Sequence, residues 1–242
     1  MIRIFFYEIK RLIFNRLFPA LMIITGIYGY MTLSSEIILG IASTAPFSPW
    51  SFAAYLAKVL PLLMLTLLFF ITFMYSNNEK QVMQLTFASP ADPLCFCLVK
   101  CAAITTGFLI MFLFIVTLSL IFYVFLFRFT DFYSFILPAV AVIVPCLLFV
   151  LGAGLLLGNV HCNIIYVIMA VILLLSFLPL LVFFDFYGSG FFCSYPLTLP
   201  AGPGGEPSFA LPATFILGRV FFSGAGVLMI LCGINIYKRG LL

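Results

Sequence analysis

Long apolar runs broken by short polar turns constrain this chain more than any other feature. A helix needs about 20 apolar residues to cross the hydrocarbon core of a bilayer. Six stretches supply them: Leu17–Ile38, Tyr55–Tyr75, Cys101–Phe127, Phe132–Leu157, Ile164–Phe184 and Ala213–Tyr237. The runs are continuous, whereas strands of a membrane barrel alternate over about ten residues, so helices are expected. Only 7% of the residues are charged and 65% are hydrophobic. Soluble domains carry about 25% charged residues, so a chain this poor in charge takes lipid as its main solvent. The expected fold class is all-α integral membrane: six transmembrane helices in one domain over residues 1–242, with an amphipathic interfacial helix in front.

The breaks are legible. Ala45–Trp50 reads Ala-Pro-Phe-Ser-Pro-Trp and predicts a turn; residues 76–100 form the longest polar stretch. Arg128–Asp131 and Gly158–Asn163 predict short hairpin connections, and residues 187–212 are rich in Gly and Pro, an outer loop able to re-enter the membrane. Orientation follows the excess of Lys and Arg on the cytoplasmic side. With the N-terminus inside, that side holds Arg3, Lys10, Arg11, Arg16, Lys80, Lys100, Lys238 and Arg239, against Lys58, Arg128 and Arg219 outside. Eight against three places both termini in the cytoplasm, which an even number of spans satisfies. No small-residue cleavage site follows the first run, so no secretory signal is expected.

Two segments on the cytoplasmic side carry pattern beyond hydrophobicity. In residues 1–16, Arg3, Tyr7, Glu8, Lys10, Arg11 and Asn15 share one helical face, and Ile2, Phe5, Phe6, Ile9, Leu12 and Ile13 the other; Ile4 and Phe14 break the pattern. That describes an amphipathic helix lying at the interface, basic side toward headgroups or a partner. In residues 76–92, Ser76 and Glu79 form a capping box ahead of a short two-sided helix. Ser89-Pro90 ends that helix, and Asp92-Pro93 opens the third span as N-cap and N1 proline.

Chemistry-bearing groups are sparse. The single His and the absence of any nucleophile, metalloprotease or phosphate-loop motif predict no catalytic site, no bound cofactor and no metal site. The net charge of +4 is small and scattered, so no nucleic-acid partner is expected. Cys146 and Cys232 lie inside apolar runs, Cys95, Cys97, Cys101 and Cys162 fall on the cytoplasmic side, and Cys193 faces outward alone; free thiols are expected. Glu36, Lys58, Arg128, Asp131, Asp185 and Arg219 all map toward outer span ends, leaving the midplane without the ionisable residues that proton- or sodium-driven transporters keep there. Arg219 either snorkels outward or pairs with Asp185 or Glu206; both arrangements make Asp185 and Arg219 candidates for an outer exit. Glycines at 152, 154, 158, 218, 224, 226 and 233 allow close helix packing.

The order of these features resembles the ABC-2-type exporter permeases, the membrane subunits of ABC transporters. The likeness rests on Glu8 before the basic pair Lys10 and Arg11, the six spans, and the loop Asn78-Glu79-Lys80 through Leu85-Thr-Phe-Ala-Ser-Pro90 to Lys100. It also rests on an apolar loop before the last span. The resemblance implies a permease subunit that moves an amphipathic substrate (an antimicrobial peptide, lipid or drug) out of a bacterial cell across the plasma membrane. ATP and Mg would be bound by separate cytoplasmic ATPase subunits, and a second permease subunit, same or different, would complete the complex. Glu79, Lys80, Val82, Met83, Leu85 and Phe87 would form the contact that carries ATPase motion into the spans, braced by Arg3, Glu8, Lys10 and Arg11. The rival from another class is a non-transporting accessory or scaffold subunit of a larger membrane complex.

Overall fold

The computed structural model describes residues 2–76, 93–178, 182–200 and 207–239, the side chains of residues 93, 94 and 237–239 excepted. The described residues form helices and turns, with no strand among them. In chain order these are α1 (Ile2–Ile13), α2 (Leu17–Thr32, extended by a π turn at Leu33–Ile37) and α3 (Pro49–Met74). Then come α4 (Pro93–Phe127), α5 (Ile136–Val160), α6 (Ile164–Phe177), α7 (Ser189–Ser194) and α8 (Ala213–Arg239). Five helices are long and apolar enough to cross a membrane: Leu17–Ile37, Pro49–Met74, Cys95–Phe127, Tyr133–Val160 and Ala213–Ile236.

The expected span Ile164–Phe184 is shorter than its apolar run. Helix α6 ends at Phe177, and residues 182–184 form a turn. Its 14 residues give about 21 Å at about 1.5 Å per residue, against about 30 Å of hydrocarbon. The cause is local: Leu178 precedes Pro179 and is extended, at φ −83°, ψ 128°. A residue before proline is pushed out of the helical region. The chain resumes as α7 beside α3. Ser176 and Phe177 at the end of α6 and Ser189 at the start of α7 all border Lys58 and Pro61 of α3. Beyond α7, Tyr195 stacks near Trp50 at the first turn of α3, ring centroids 5.9 Å apart.

α3 is the axis of the bundle, packed against α2, α4, α5, α6 and α7, and most of its side chains are buried. Its start is fixed by Ser48, whose Oγ accepts the Ser51 N–H at 3.1 Å, with Pro49 at N1. At its foot, Tyr75 Oη lies 2.9 Å from the Leu155 carbonyl and 3.0 Å from Asn159 Oδ1 of α5; Asn159 Nδ2 donates to the Gly233 carbonyl of α8 at 2.7 Å. The feet of α3, α5 and α8 are therefore joined, and α1 packs at the same end, bordering Met74 and Lys100.

The α5–α8 crossing is a backbone contact. A Cβ on Gly226 would come 2.6 Å from the Phe149 nitrogen, and one on Gly152 would run into the Gly226 carbonyl and Met229. Small residues permit such close approach where no hydrophobic force separates helix from lipid. Gly224, two residues from Gly226, meets nothing within 4 Å. Gly226→Ala is expected to destabilise the chain by about 1–3 kcal/mol through overpacking, whereas Gly224→Ala leaves stability unchanged or slightly raised. Thermal unfolding midpoints of the two detergent-purified variants should move in opposite directions, or only the first should fall.

Candidate functional site

Glu79, Lys80, Val82, Met83, Leu85 and Phe87 lie outside the described residues. The structure describes what flanks them, the Tyr75 foot of α3 and the first turns of α4, and these sit beside α1.

α1 ends at Ile13, short of the expected residue 16, and its inward face differs from the amphipathic pattern. Ile4, Phe5, Glu8, Ile9, Leu12 and Ile13 are half-buried, while Ile2 and Phe6 are exposed. The helix is turned so that Leu12 seats on Gly107 of α4, where an added Cβ would meet Leu12 Cδ2 at 2.7 Å. That rotation brings Ile4 onto the packed side and draws Glu8 inward. Glu8, Arg11, Asn15 and Lys100 line a cleft of about 90 Å³ with Phe70, Phe73 and Met74 of α3. Glu8 and Arg11 pair at 4.0 Å, a partly exposed contact worth about 0–1 kcal/mol. Lys100 is only 4% exposed, its ammonium 4.7 Å from the Phe96 ring centroid. Arg3 and Lys10 remain on the exposed side.

Asp185 and Arg219 come together in the interior rather than on an outer surface, at 9% and 6% exposure. Arg219 Nη1 donates to the Phe186 carbonyl and Nη2 to the Asp185 carbonyl at 3.2 Å; its guanidinium lies 4.5 Å from the Phe215 ring centroid. The Asp185 carboxylate is occupied elsewhere. Oδ1 accepts the Gly188 N–H at 2.8 Å and Oδ2 the Phe191 N–H at 3.0 Å, fixing the turn into α7. Gly188 sits there at φ +84°, which favours glycine. Cys146 of α5 donates its thiol to the Phe186 carbonyl at 3.1 Å, and Tyr187 Oη donates to the Ile172 carbonyl of α6 at 3.0 Å. Every one of these bonds has a backbone group of α6, of α7 or of the break between them at one end. The centre is a clamp for irregular backbone.

A second charged pair was not legible as a pair. Lys58 Nζ donates to Glu36 Oε2, from α3 to the π turn that ends α2. The signal was present: opposite charges at the outer parts of two consecutive spans. Lys58 follows Pro49, the first residue of α3, by nine residues, about 13 Å along the helix axis. Trp50, half of a turn signal in the sequence, turns out to anchor the outer aromatic cluster: its Nε1 donates to the Pro207 carbonyl at 3.2 Å, and Phe209 lies 4.7 Å away between centroids. All seven cysteines are free thiols, and among the described residues no three His, Cys, Asp or Glu side chains gather as a metal site would need.

No family model, curated protein or solved structure matches the chain.

Arg219→Leu should orphan the buried Asp185 carbonyl, at about 1–3 kcal/mol, leave the Phe186 carbonyl with the Cys146 thiol alone, and release the α7 region. Site-resolved maleimide labelling, read by peptide mass spectrometry, is expected to show Cys193 reacting several-fold faster than in the parent chain. Arg219→Lys should recover only part of the protection, since a single ammonium cannot hold the two carbonyls as the planar fork does. Unchanged Cys193 labelling in Arg219→Leu would contradict the clamp.

Proposed function

We propose that this chain is the permease subunit of an ATP-driven exporter of the ABC-2 type, working in a bacterial plasma membrane. ATP is hydrolysed by separate cytoplasmic subunits, and a second permease subunit pairs with this one. The observation that supports this reading best is the gathering of features at one end of the bundle. α1 with its exposed Arg3 and Lys10, the Glu8–Arg11–Lys100 cleft, and the two helix ends flanking residues 77–92 share that end. A partner docked there would touch the amphipathic helix and the α3–α4 connection together.

In this reading the basic end faces the cytoplasm, and α6 with α7 makes the remaining crossing as a broken span, giving six crossings with both termini inside. Energy enters through Glu79, Lys80, Val82, Met83, Leu85 and Phe87 as motion of a rigid contact with two arrangements, so no catalytic group is needed on this chain. The lipid-facing surface and the apolar lateral cavities suit an amphipathic cargo.

Isolation of the full chain from its native membranes in mild detergent is expected to bring down a stoichiometric ATP-binding protein. The triple variant Glu79→Ala, Leu85→Ala, Phe87→Ala should lose it while eluting at the size of the folded chain. A chain that purifies without any nucleotide-binding partner would be the scaffold subunit instead, and the exporter reading would fall.

A further inference from the structure

Beside the Glu36–Lys58 pair lies a cavity of about 300 Å³, walled by Tyr28, Ala57, Lys58, Pro61, Leu62, Leu173, Ser176, Phe177 and Ser189. We propose that it binds the anionic headgroup, phosphate or carboxylate, of a single amphipathic molecule, with Lys58 as its counter-ion. The cavity sits where α2, α3, α6 and α7 meet, bordered by the end of α6 at Phe177 and the start of α7 at Ser189.

The sign of the ligand follows from the walls. Lys58 lines the cavity; Glu36 does not, and reaches the ammonium from the π turn outside it. An ammonium offers three donors, Glu36 takes one, and 28% of the Lys58 side chain stays exposed. Ser189 adds a hydroxyl that bonds to nothing among the described residues. The Tyr28 and Ser176 hydroxyls also line it, but both are engaged by main-chain carbonyls. Pro61 and Leu62 on α3 and Leu173 and Phe177 on α6 are apolar. A cation and a hydroxyl in a pocket with largely apolar walls match a molecule with an anionic head and a hydrocarbon tail. The pairing of Lys58 strengthens the case. An ionisable side chain held within a span is costly unless it pairs or serves a pathway, and a half-exposed Glu36, at 50%, is a partner that an incoming anion can displace. This inference needs the cavity and the pair, not the ATPase.

The test uses the full chain in nanodiscs of phosphatidylcholine and, as probe, dodecyl phosphate carrying a diazirine at the tail. Saturable photolabelling confined to peptides of α3 and α6 is expected. Lys58→Gln should weaken apparent affinity about tenfold or more, the loss of one charged hydrogen bond, and Lys58→Arg should retain most of it. Glu36→Gln should tighten binding several-fold by removing the competing carboxylate. Opposite effects of the two glutamine variants cannot come from misfolding. Competition by phosphatidylglycerol and not by a hydrophobic peptide with a free C-terminal carboxylate would mark the ligand as a bilayer lipid; the reverse, with the amidated peptide inert, would mark it as a peptide cargo. Non-saturable labelling spread over all lipid-facing helices, equal in Lys58→Gln and the parent chain, overturns the site, as does failure of both competitors.

Discussion

Arg219 holds the part of this structure that the hydrophobic pattern would have left unsatisfied. Within hydrocarbon every backbone N–H and C=O needs a partner inside the protein, which is why spans are helical. Between α6 and α7 the helix stops, and the freed groups lie beside α3, α5 and α8 rather than in water. Arg219 takes two of the carbonyls, the Asp185 carboxylate takes two of the amides, and Cys146 reinforces the Phe186 carbonyl. A guanidinium suits this task because its planar fork presents several donors at once and stays charged. This centre satisfies the break that Pro179 begins, and the cavity at Lys58 borders the ends of both α6 and α7.

Around that centre the helices divide by how closely they approach. α5 and α8 touch backbone to backbone at Gly152 and Gly226, and Tyr75 and Asn159 tie the feet of α3, α5 and α8 together. α1 and α2 instead meet α4, through Leu12 over Gly107 and through Gly26 beneath the Phe114 ring, where an added Cβ would lie 3.0 Å from the ring edge. The first contacts are made by main chain and buried polar bonds, the second by side chains seated on glycines, while α2 and α4 also pack on α3.

The coarse fold was legible because burial in lipid leaves long apolar runs, and five of the expected runs became long helices. Of the glycines singled out on the fourth and sixth runs, all but Gly224 sit where an added Cβ would meet a neighbouring residue. What the pattern obscured was where a helix stops and whom a side chain meets. Phe, Leu and Val continue through Pro179 to Phe184, so hydrophobicity alone ran the helix on past the residue where proline stops it. Lys58 and Arg219 lie within helices, and their side chains reach partners 22 and 33 residues away in the chain, a separation no local spacing encodes. In α1 the periodicity identified the helix but not its rotation. Glu8 reads as a solvent-facing residue until Gly107 of α4 fixes where Leu12 must sit.

Burial within the bundle changes what the ionisable residues argue. Their expected absence from the middle of the spans spoke against transport driven by protons or sodium. Arg219 does reach the interior, yet its donors are engaged by main-chain carbonyls, and a group so held is poorly placed to bind and release cargo. Lys58 is held only by a half-exposed carboxylate at the edge of an open cavity. The molecule therefore separates a charge that builds the fold from a charge that is free to exchange partners. Residues 77–92 connect α3, fastened to α5 and α8, with α4, which carries α1 and α2. In the exporter reading a force applied to that connection acts on α3 and α4 together. α2, which packs on both, forms one wall of the Lys58 cavity through Tyr28. Movement of α2 away from α3 would stretch the Glu36–Lys58 pair, so the same displacement that opens the wall also unpairs the cation.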